Sequence, residues 1–227
     1  MTMARRPNSA GTGFAMVDLL AVLAVVAVLG AVAGIPLARS KQTARLAVCL
    51  ANLQSVARGL QLYAGDSHAT LPDTAPVRKD IWWWYKDAIL PYATKAAGAP
   101  SETLFACPND RGYSDPTPFC KTARFDFNSY VFNGVTLPGM PNIAGWKLSA
   151  VAEPRRTLLA MEWTAHAPLS WHRSRTGSAN APFYSGAESA TSFVDGHAAL
   201  TRIYYDGFNA AYTRDPISGY DYRYSGN

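Results

Sequence analysis

The chain has 227 residues, of which 48% are apolar and 12% aromatic, so it is long enough for one folded domain beyond an N-terminal helix. Its net charge of +5 arises in the first 60 residues, where six basic residues accompany one acidic residue, and the remainder holds fifteen of each sign. A globular part without net charge argues against a nucleic-acid-binding domain.

An apolar run extends from Gly13 to Leu37, directly after a short polar leader that contains Arg5 and Arg6. Its only charged residue is Asp18, near its start. As a helix, the uncharged part from residue 19 onward would be about 28 Å long, which is close to the hydrocarbon thickness of a bilayer. The run therefore predicts a membrane-spanning helix.

Two ordinary interpretations account for the run but not for its charge. A secretory signal peptide would need small residues at a cleavage site, and the run offers Ala31, Ala33 and Ala38. A plain anchor fits the length and the basic leader, which the positive-inside rule places in the cytoplasm. Neither explains Asp18, since a carboxylate deep in a bilayer costs about 2–3 kcal/mol.

A third interpretation rests on the order of five residues before and within the run: Arg5, Arg6, Gly13, Phe14 and Asp18. In these residues the chain resembles the type IV prepilins and type II secretion pseudopilins. The resemblance implies that a prepilin peptidase cleaves after Gly13 and methylates Phe14. It also implies that Asp18, where the family usually has Glu, pairs with the N-terminal amine of a neighbouring subunit.

Apolar residues continue beyond the run at a 4-3-4-3 spacing, at Leu46, Leu50, Leu53, Ala57 and Leu60. This spacing predicts an amphipathic helix that ends near residues 65–66, where glycine provides a C-cap. The chain then divides into a leader (1–13), a transmembrane and assembly half of the helix (14–37), an amphipathic half (38–66) and a globular domain (67–227).

The globular domain is expected to consist of short strands and long loops, because proline, glycine, asparagine and aspartate interrupt it often. Residues 81–96 predict a short helix or turn that ends at Pro91. Strands are predicted at 190–194 and 198–203, joined by Asp195 and Gly196 in a type I′ turn. These patterns predict the α+β class, and the resemblance implies a pilin-like fold with one long helix packed on a small antiparallel sheet.

Several short motifs occur in order along the domain, including Phe105-Ala-Cys107-Pro-Asn-Asp110, Asn128-Ser-Tyr130 and Phe193-Val-Asp195-Gly-His197. In these motifs the chain resembles a branch of prepilin-like proteins from planctomycetes and verrucomicrobia that ends in an Asp-Gly-His signature. The candidate ligands of a metal site are Glu162, His172, Asp195 and His197, because carboxylates and imidazoles suit zinc. No local ligand spacing supports it, and we expect no cofactor.

The three cysteines are consistent with an exported domain. Cys107 and Cys120 bracket a loop rich in turn residues, and a disulfide between them would stabilise the loop by about 3 kcal/mol. Cys49, on the predicted helix, could instead pair with Cys107 and leave Cys120 unpaired.

The sequence contains no nucleophilic serine elbow, phosphate-binding glycine loop or supported carboxylate pair, so we expect no enzymatic activity. The resemblance implies a structural subunit of a pseudopilus or type IV pilus-like filament, anchored in the bacterial inner membrane with its domain in the periplasm. Its partners would be prepilin peptidase, other pilin-like subunits, the assembly platform and membrane lipid. A polysaccharide- or partner-binding module, or a membrane-anchored metalloenzyme, are the alternatives.

Overall fold

The computed structural model describes residues 16–73, 84–97, 101–112, 118–121, 128–135, 139–166, 170–172, 187–204 and 215–227. Its contacts divide the chain into two compact units, Met1–Gln42 and Thr43–Asn227. Within the described residues, no helix has both the length and the apolar character needed to cross a membrane.

The elements follow the predicted order of a long helix and then a small sheet. Helix α1 covers Met16–Asp66 and ends where the sequence predicted. The predicted C-cap at Gly65 is wrong, because Gly65 lies inside the last turn and the left-handed residues after the helix are His68 and Ala69. Two shorter helices follow, α2 (Tyr85–Ala97) and α3 (Ser101–Leu104). Four strands then form an antiparallel sheet in chain order: β1 (Tyr130–Phe132), β2 (Leu158–Glu162), β3 (Glu188–Phe193) and β4 (Ala198–Arg202). The α+β class is confirmed, with the long helix packed on a four-stranded antiparallel sheet.

In the second unit, α1 packs on the sheet through one face. Leu53, Ala57 and Leu60 of the predicted seam are fully buried, whereas Leu46 and Leu50 are half-buried. The 4-3-4-3 spacing therefore identified the packing face, because residues three and four apart lie on the same side of a helix.

Both faces of the sheet are covered at β1 and β2. Tyr130 and Phe132 of β1 pack in the same cluster as α1, whereas Val131 between them packs in a second cluster with Tyr222 and Tyr224. All residues of β1 and β2 are buried. These strands consequently lack the alternation of polar and apolar residues that marks a half-exposed strand.

Helix α2 continues through Pro91, although the sequence predicted that it would end there. Ile89 and Ala93 lie one turn apart on this helix and are fully buried. Their packing offsets the cost of a proline inside a helix, about 3 kcal/mol. Ala93 lies against Gly59 of α1, where an added Cβ atom would be 2.7 Å from the Ala93 Cβ atom. Glycine at position 59 therefore allows the two helices to approach closely.

The last hairpin forms as predicted, but its turn differs. Val194 and Asp195 are the central residues, and the N–H of Gly196 donates a hydrogen bond to the carbonyl of Phe193 at 2.8 Å. A type I′ turn needs positive φ at both central residues. Here Gly196, which follows the centre, has a φ of 93°, so the loop is a three-residue connection that ends in a left-handed glycine.

Candidate functional site

A buried acid–base pair lies at the end of the central strand β2. The Nε2 atom of His172 is 2.8 Å from Oε1 of Glu162, and the two side chains are 2% and 0% exposed. The other carboxylate oxygen, Oε2, accepts a hydrogen bond from the backbone N–H of Ala190 in β3 at 2.9 Å. Both carboxylate oxygens are therefore satisfied inside the protein, as a buried charge requires.

The orientation of His172 is fixed by its neighbours. Nδ2 of Asn109 is 2.9 Å from Nδ1 of His172, and the backbone N–H of His172 donates to the hydroxyl of Ser170 at 2.9 Å. Because Asn109 donates to Nδ1, this nitrogen is an acceptor, and Nε2 donates to Glu162. The ring is therefore held from both sides by Asn109 and Glu162.

The charge on Glu162 also affects the opposite strand. Tyr130 pairs with Glu162 in the β1–β2 register. Burial, and next the negative charge of Glu162, raises the pKa of Tyr130 well above its ordinary value. The phenol is thus a neutral hydrogen-bond donor, and its hydroxyl lies 3.5 Å from the carbonyl of Cys49.

A disulfide adjoins this acid–base pair. It joins Cys49 of α1 to Cys107, while Cys120 is a free cysteine. The predicted pairing of Cys107 with Cys120 is therefore corrected to the alternative that the sequence left open. The Sγ atom of Cys107 lies 3.8 Å from Nε2 of His172, so helix, loop and sheet meet at this point.

Asp110 organises the loop that separates the two cysteines of the predicted pair. Its buried carboxylate accepts hydrogen bonds from the backbone N–H groups of Gly112, Phe119 and Cys120 and from the hydroxyl of Ser129, at 2.7–3.0 Å. These hydrogen bonds stabilise the loop, which is the role that the sequence predicted for a disulfide. Burial, followed by the charge of Asp110, raises the pKa of the Cys120 thiol to about 11.

The structure separates the four candidate metal ligands into two pairs. Asp195 and His197 contact each other in the hairpin turn, with Oδ1 and Nδ1 2.6 Å apart, and the His197 ring stacks on Phe193. Glu162 is held at Ala190, three strand residues or about 10 Å before the turn begins. The predicted set of Glu162, His172, Asp195 and His197 is therefore not one site.

The sequence reasoning missed the supporting residues of the buried pair, Asn109 and Ser170. Asn109 lies inside the Phe-Ala-Cys-Pro-Asn-Asp motif, which was the available signal. Of the residues assigned to processing and assembly, Gly13 and Phe14 lie outside the described residues. Asp18 lies in the first turn of α1 and is exposed.

The site combines a carboxylate, an imidazole and two sulfur atoms within a few ångströms. Such groups can transfer protons, exchange disulfides or bind a soft divalent metal ion. Comparison of the chain with protein-family models, curated proteins and solved structures gives no match.

Proposed function

We propose that this chain is a structural, prepilin-like subunit of a type II secretion pseudopilus or type IV pilus-like filament. In this proposal prepilin peptidase cleaves after Gly13 and methylates Phe14, and residues 14–37 anchor the subunit in the inner membrane until it assembles. The globular domain faces the periplasm. The function is assembly with other subunits rather than catalysis.

The observation that supports this proposal best is the exposed apolar surface at the start of α1. Nine large apolar side chains there are between 52% and 82% exposed: Met16, Val17, Leu19, Leu20, Val22, Leu23, Val25, Val26 and Val28. A helix with apolar residues on all sides requires an apolar environment. Membrane lipid before assembly and neighbouring helices in a filament would both provide one.

Asp18 favours the filament over a plain anchor. A carboxylate inside a bilayer costs about 2–3 kcal/mol. Pairing with the N-terminal amine of Phe14 on a neighbouring subunit would offset this cost, because an opposite charge stabilises the ionised acid. The charge would then select the assembled state.

Basic residues lie where the helix would leave the membrane. Arg39, Lys41 and Arg45 are exposed on α1, and they precede the buried seam that packs on the sheet. Long basic side chains at this level would extend their charged ends to the lipid headgroups, while their apolar stems lie along the helix. The helix thus combines an apolar segment, a group of exposed basic residues and a face that packs on the sheet.

Cleavage tests the processing step directly. We would express the full chain with a prepilin peptidase and compare the variants Gly13→Val and Gly11→Ala by gel mobility. The proposal expects cleavage of the wild type and of Gly11→Ala, and no cleavage of Gly13→Val. Equal cleavage of all three chains would refute processing after Gly13.

Assembly is tested separately at Asp18. The variant Asp18→Asn should be cleaved normally but fail to form crosslinked oligomers in membranes, because the amide carries no charge for the neighbour's amine. Asp18→Glu restores the charge and should restore crosslinking. If Asp18→Asn assembles as well as the wild type, the carboxylate has no role in assembly.

A cleft beside β4 favours the second candidate function, a binding module. The cleft has a volume of about 470 Å³, and its lining includes Arg155, Arg156, His197, Arg202, Tyr220 and Asp221. The guanidinium of Arg202 lies 4.6 Å from the centre of the Tyr220 ring. Aromatic faces next to cations suit an acidic sugar, which offers both a C–H face and a carboxylate.

Binding to acidic and neutral oligosaccharides on a glycan array tests this second function. Retention of acidic glycans by the wild type and loss of retention in Arg202→Ala would support it. Binding that is unchanged in Arg202→Ala would place the sugar elsewhere.

A further inference from the structure

The side chains of Cys49, Cys107, Glu162 and His172 converge from four separate segments of the described chain. Each offers one donor atom, and these atoms all lie within 4.8 Å of one another. In a tetrahedral zinc site with ordinary Zn–S and Zn–N bond lengths, a sulfur and a nitrogen ligand are about 3.6 Å apart. The measured separation of Cys107 Sγ and His172 Nε2 is 3.8 Å.

The chemistry of this donor set is specific. Thiolates and imidazole favour zinc over magnesium or calcium, which prefer oxygen ligands. Two thiolates would neutralise the charge of the ion, and Glu162 and His172 would complete a four-coordinate shell. Cys49, Cys107 and Glu162 are essentially inaccessible to solvent. A closed shell of four protein ligands is typical of structural zinc rather than catalytic zinc.

The surrounding hydrogen bonds suit metal ligation as well. The N–H of Ala190 already holds Oε2 of Glu162, which leaves Oε1 directed at His172. Asn109 holds Nδ1 of His172. In a zinc-bound state the ring proton would move from Nε2 to Nδ1, and the amide of Asn109 would rotate so that its oxygen accepts that proton. Partners of this kind orient metal-binding histidines in general.

We propose that these four residues form a zinc site when the chain is reduced, and that the zinc ion and the Cys49–Cys107 disulfide exclude each other. A dithiol reductant supplies two electrons and two protons, breaks the Sγ–Sγ bond and is itself oxidised to a disulfide. Zinc binding then releases the two thiol protons to solvent. Reoxidation needs a disulfide oxidant, which takes two electrons from the thiolates and two protons from solvent and is itself reduced to a dithiol. The Cys49–Cys107 bond then forms again and the ion is expelled, since two sulfur atoms bonded to each other no longer act as thiolates.

The consequence is that α1 stays linked to the sheet domain in either redox state. The disulfide joins Cys49 on α1 directly to Cys107 in an oxidising compartment. In a reducing compartment the zinc ion would join the same two residues and add β2 through Glu162. This inference goes beyond filament assembly and does not depend on it.

The test uses the full chain in detergent micelles, titrated with Co²⁺ and then with Zn²⁺ under anaerobic conditions. The chain reduced with a phosphine should bind one ion and show a thiolate-to-cobalt charge-transfer band that Zn²⁺ abolishes. The oxidised chain should show neither. A reduced chain that binds no ion, or that binds cobalt without the charge-transfer band, overturns the proposal.

Substitutions distinguish the proposed zinc ligands from residues outside the site. Glu162→Gln and His172→Asn should lose most of the affinity, and Asn109→Ala should bind about 10- to 100-fold more weakly. Cys120→Ser and His197→Asn, which alter a cysteine and a histidine outside the cluster, should bind like the wild type. Circular dichroism checks folding. A reduced chain that gains structure only with zinc supports the site, and equal affinity in wild type and His172→Asn refutes it.

Discussion

Replacing Cys49 with alanine removes the covalent link between α1 and the segment that precedes β1. The bonded cysteines are 58 residues apart. Closing a loop of this length lowers the conformational entropy of the unfolded chain, and this raises the free energy of the unfolded state by about 4 kcal/mol at 25 °C. We therefore expect Cys49→Ala to lower the free energy of unfolding by about 4 kcal/mol.

The assay is guanidinium unfolding of the full chain in micelles, followed by tryptophan fluorescence without reductant and with a metal chelator. The matched control is Cys120→Ala, which removes a cysteine that forms no disulfide. We expect this control to change stability by less than about 1 kcal/mol, the range of a small substitution at a half-buried position. Chemical reduction of the wild type should reproduce the loss seen in Cys49→Ala.

The opposite pattern would refute the reasoning. Suppose that Cys120→Ala lost about 4 kcal/mol of stability and that Cys49→Ala unfolded like the wild type. The bridge would then join Cys107 to Cys120. A loss below about 1 kcal/mol in both variants would mean that no bridge restricts the unfolded chain.

Three further predictions concern packing, thiol reactivity and acid stability. Gly59→Ala should destabilise the domain by about 1–3 kcal/mol, because the new methyl group overlaps α2. Gly65→Ala should not, because beyond its own helix no described part of the chain lies within 4 Å of its Cβ position. The Cys120 thiol, with a pKa of about 11 against an ordinary 9.0, should react with iodoacetamide at pH 8 about 100-fold more slowly in the folded chain than in the unfolded one. Hydrogen bonds from Arg156 and then Arg223 lower the pKa of Glu153 in the folded chain. The ionised Glu153 therefore contributes its full stabilisation above its ordinary pKa of 4.5, and this contribution is lost as the pH falls through the lower folded value. In Glu153→Gln, the unfolding midpoint should therefore depend less on pH in this acidic range.

Each of these measurements has a contrary result. Equal stability of Gly59→Ala and Gly65→Ala would mean that α1 and α2 are not in close contact. Rapid alkylation of Cys120 in the folded chain would mean that its thiol is open to solvent. An unchanged acid dependence in Glu153→Gln would show that this carboxylate keeps an ordinary pKa.

Local sequence patterns were sufficient for the helix and the last hairpin. The apolar spacing identified the buried face of α1, and the end of the helix at Asp66 was predicted correctly, although Gly65 does not form the predicted C-cap. These features depend on residues near one another in the chain. The end of α2 was misplaced because buried contacts at Ile89 and Ala93 outweigh the local penalty of a proline.

The candidate site is formed by residues that are far apart in the chain. Local sequence patterns do not determine such contacts. Cys49 and Cys107 meet only because α1 packs on the sheet, so spacing alone favoured the nearer Cys120. Glu162 and His172 were named correctly as neighbours. Asp195 and His197 were grouped with them wrongly. The register of β2 and β3 places the hairpin turn at the opposite end of β2 from the site.

The central claim is that the chain is processed and assembled like a prepilin, and the mature N-terminus tests it most directly. The chain would be purified from membranes of cells that contain prepilin peptidase, and its N-terminal peptide analysed by mass spectrometry. The account predicts a chain that begins with N-methylated Phe14. A mature chain that retains Met1, or that begins after Ala33 or Ala38, would contradict it.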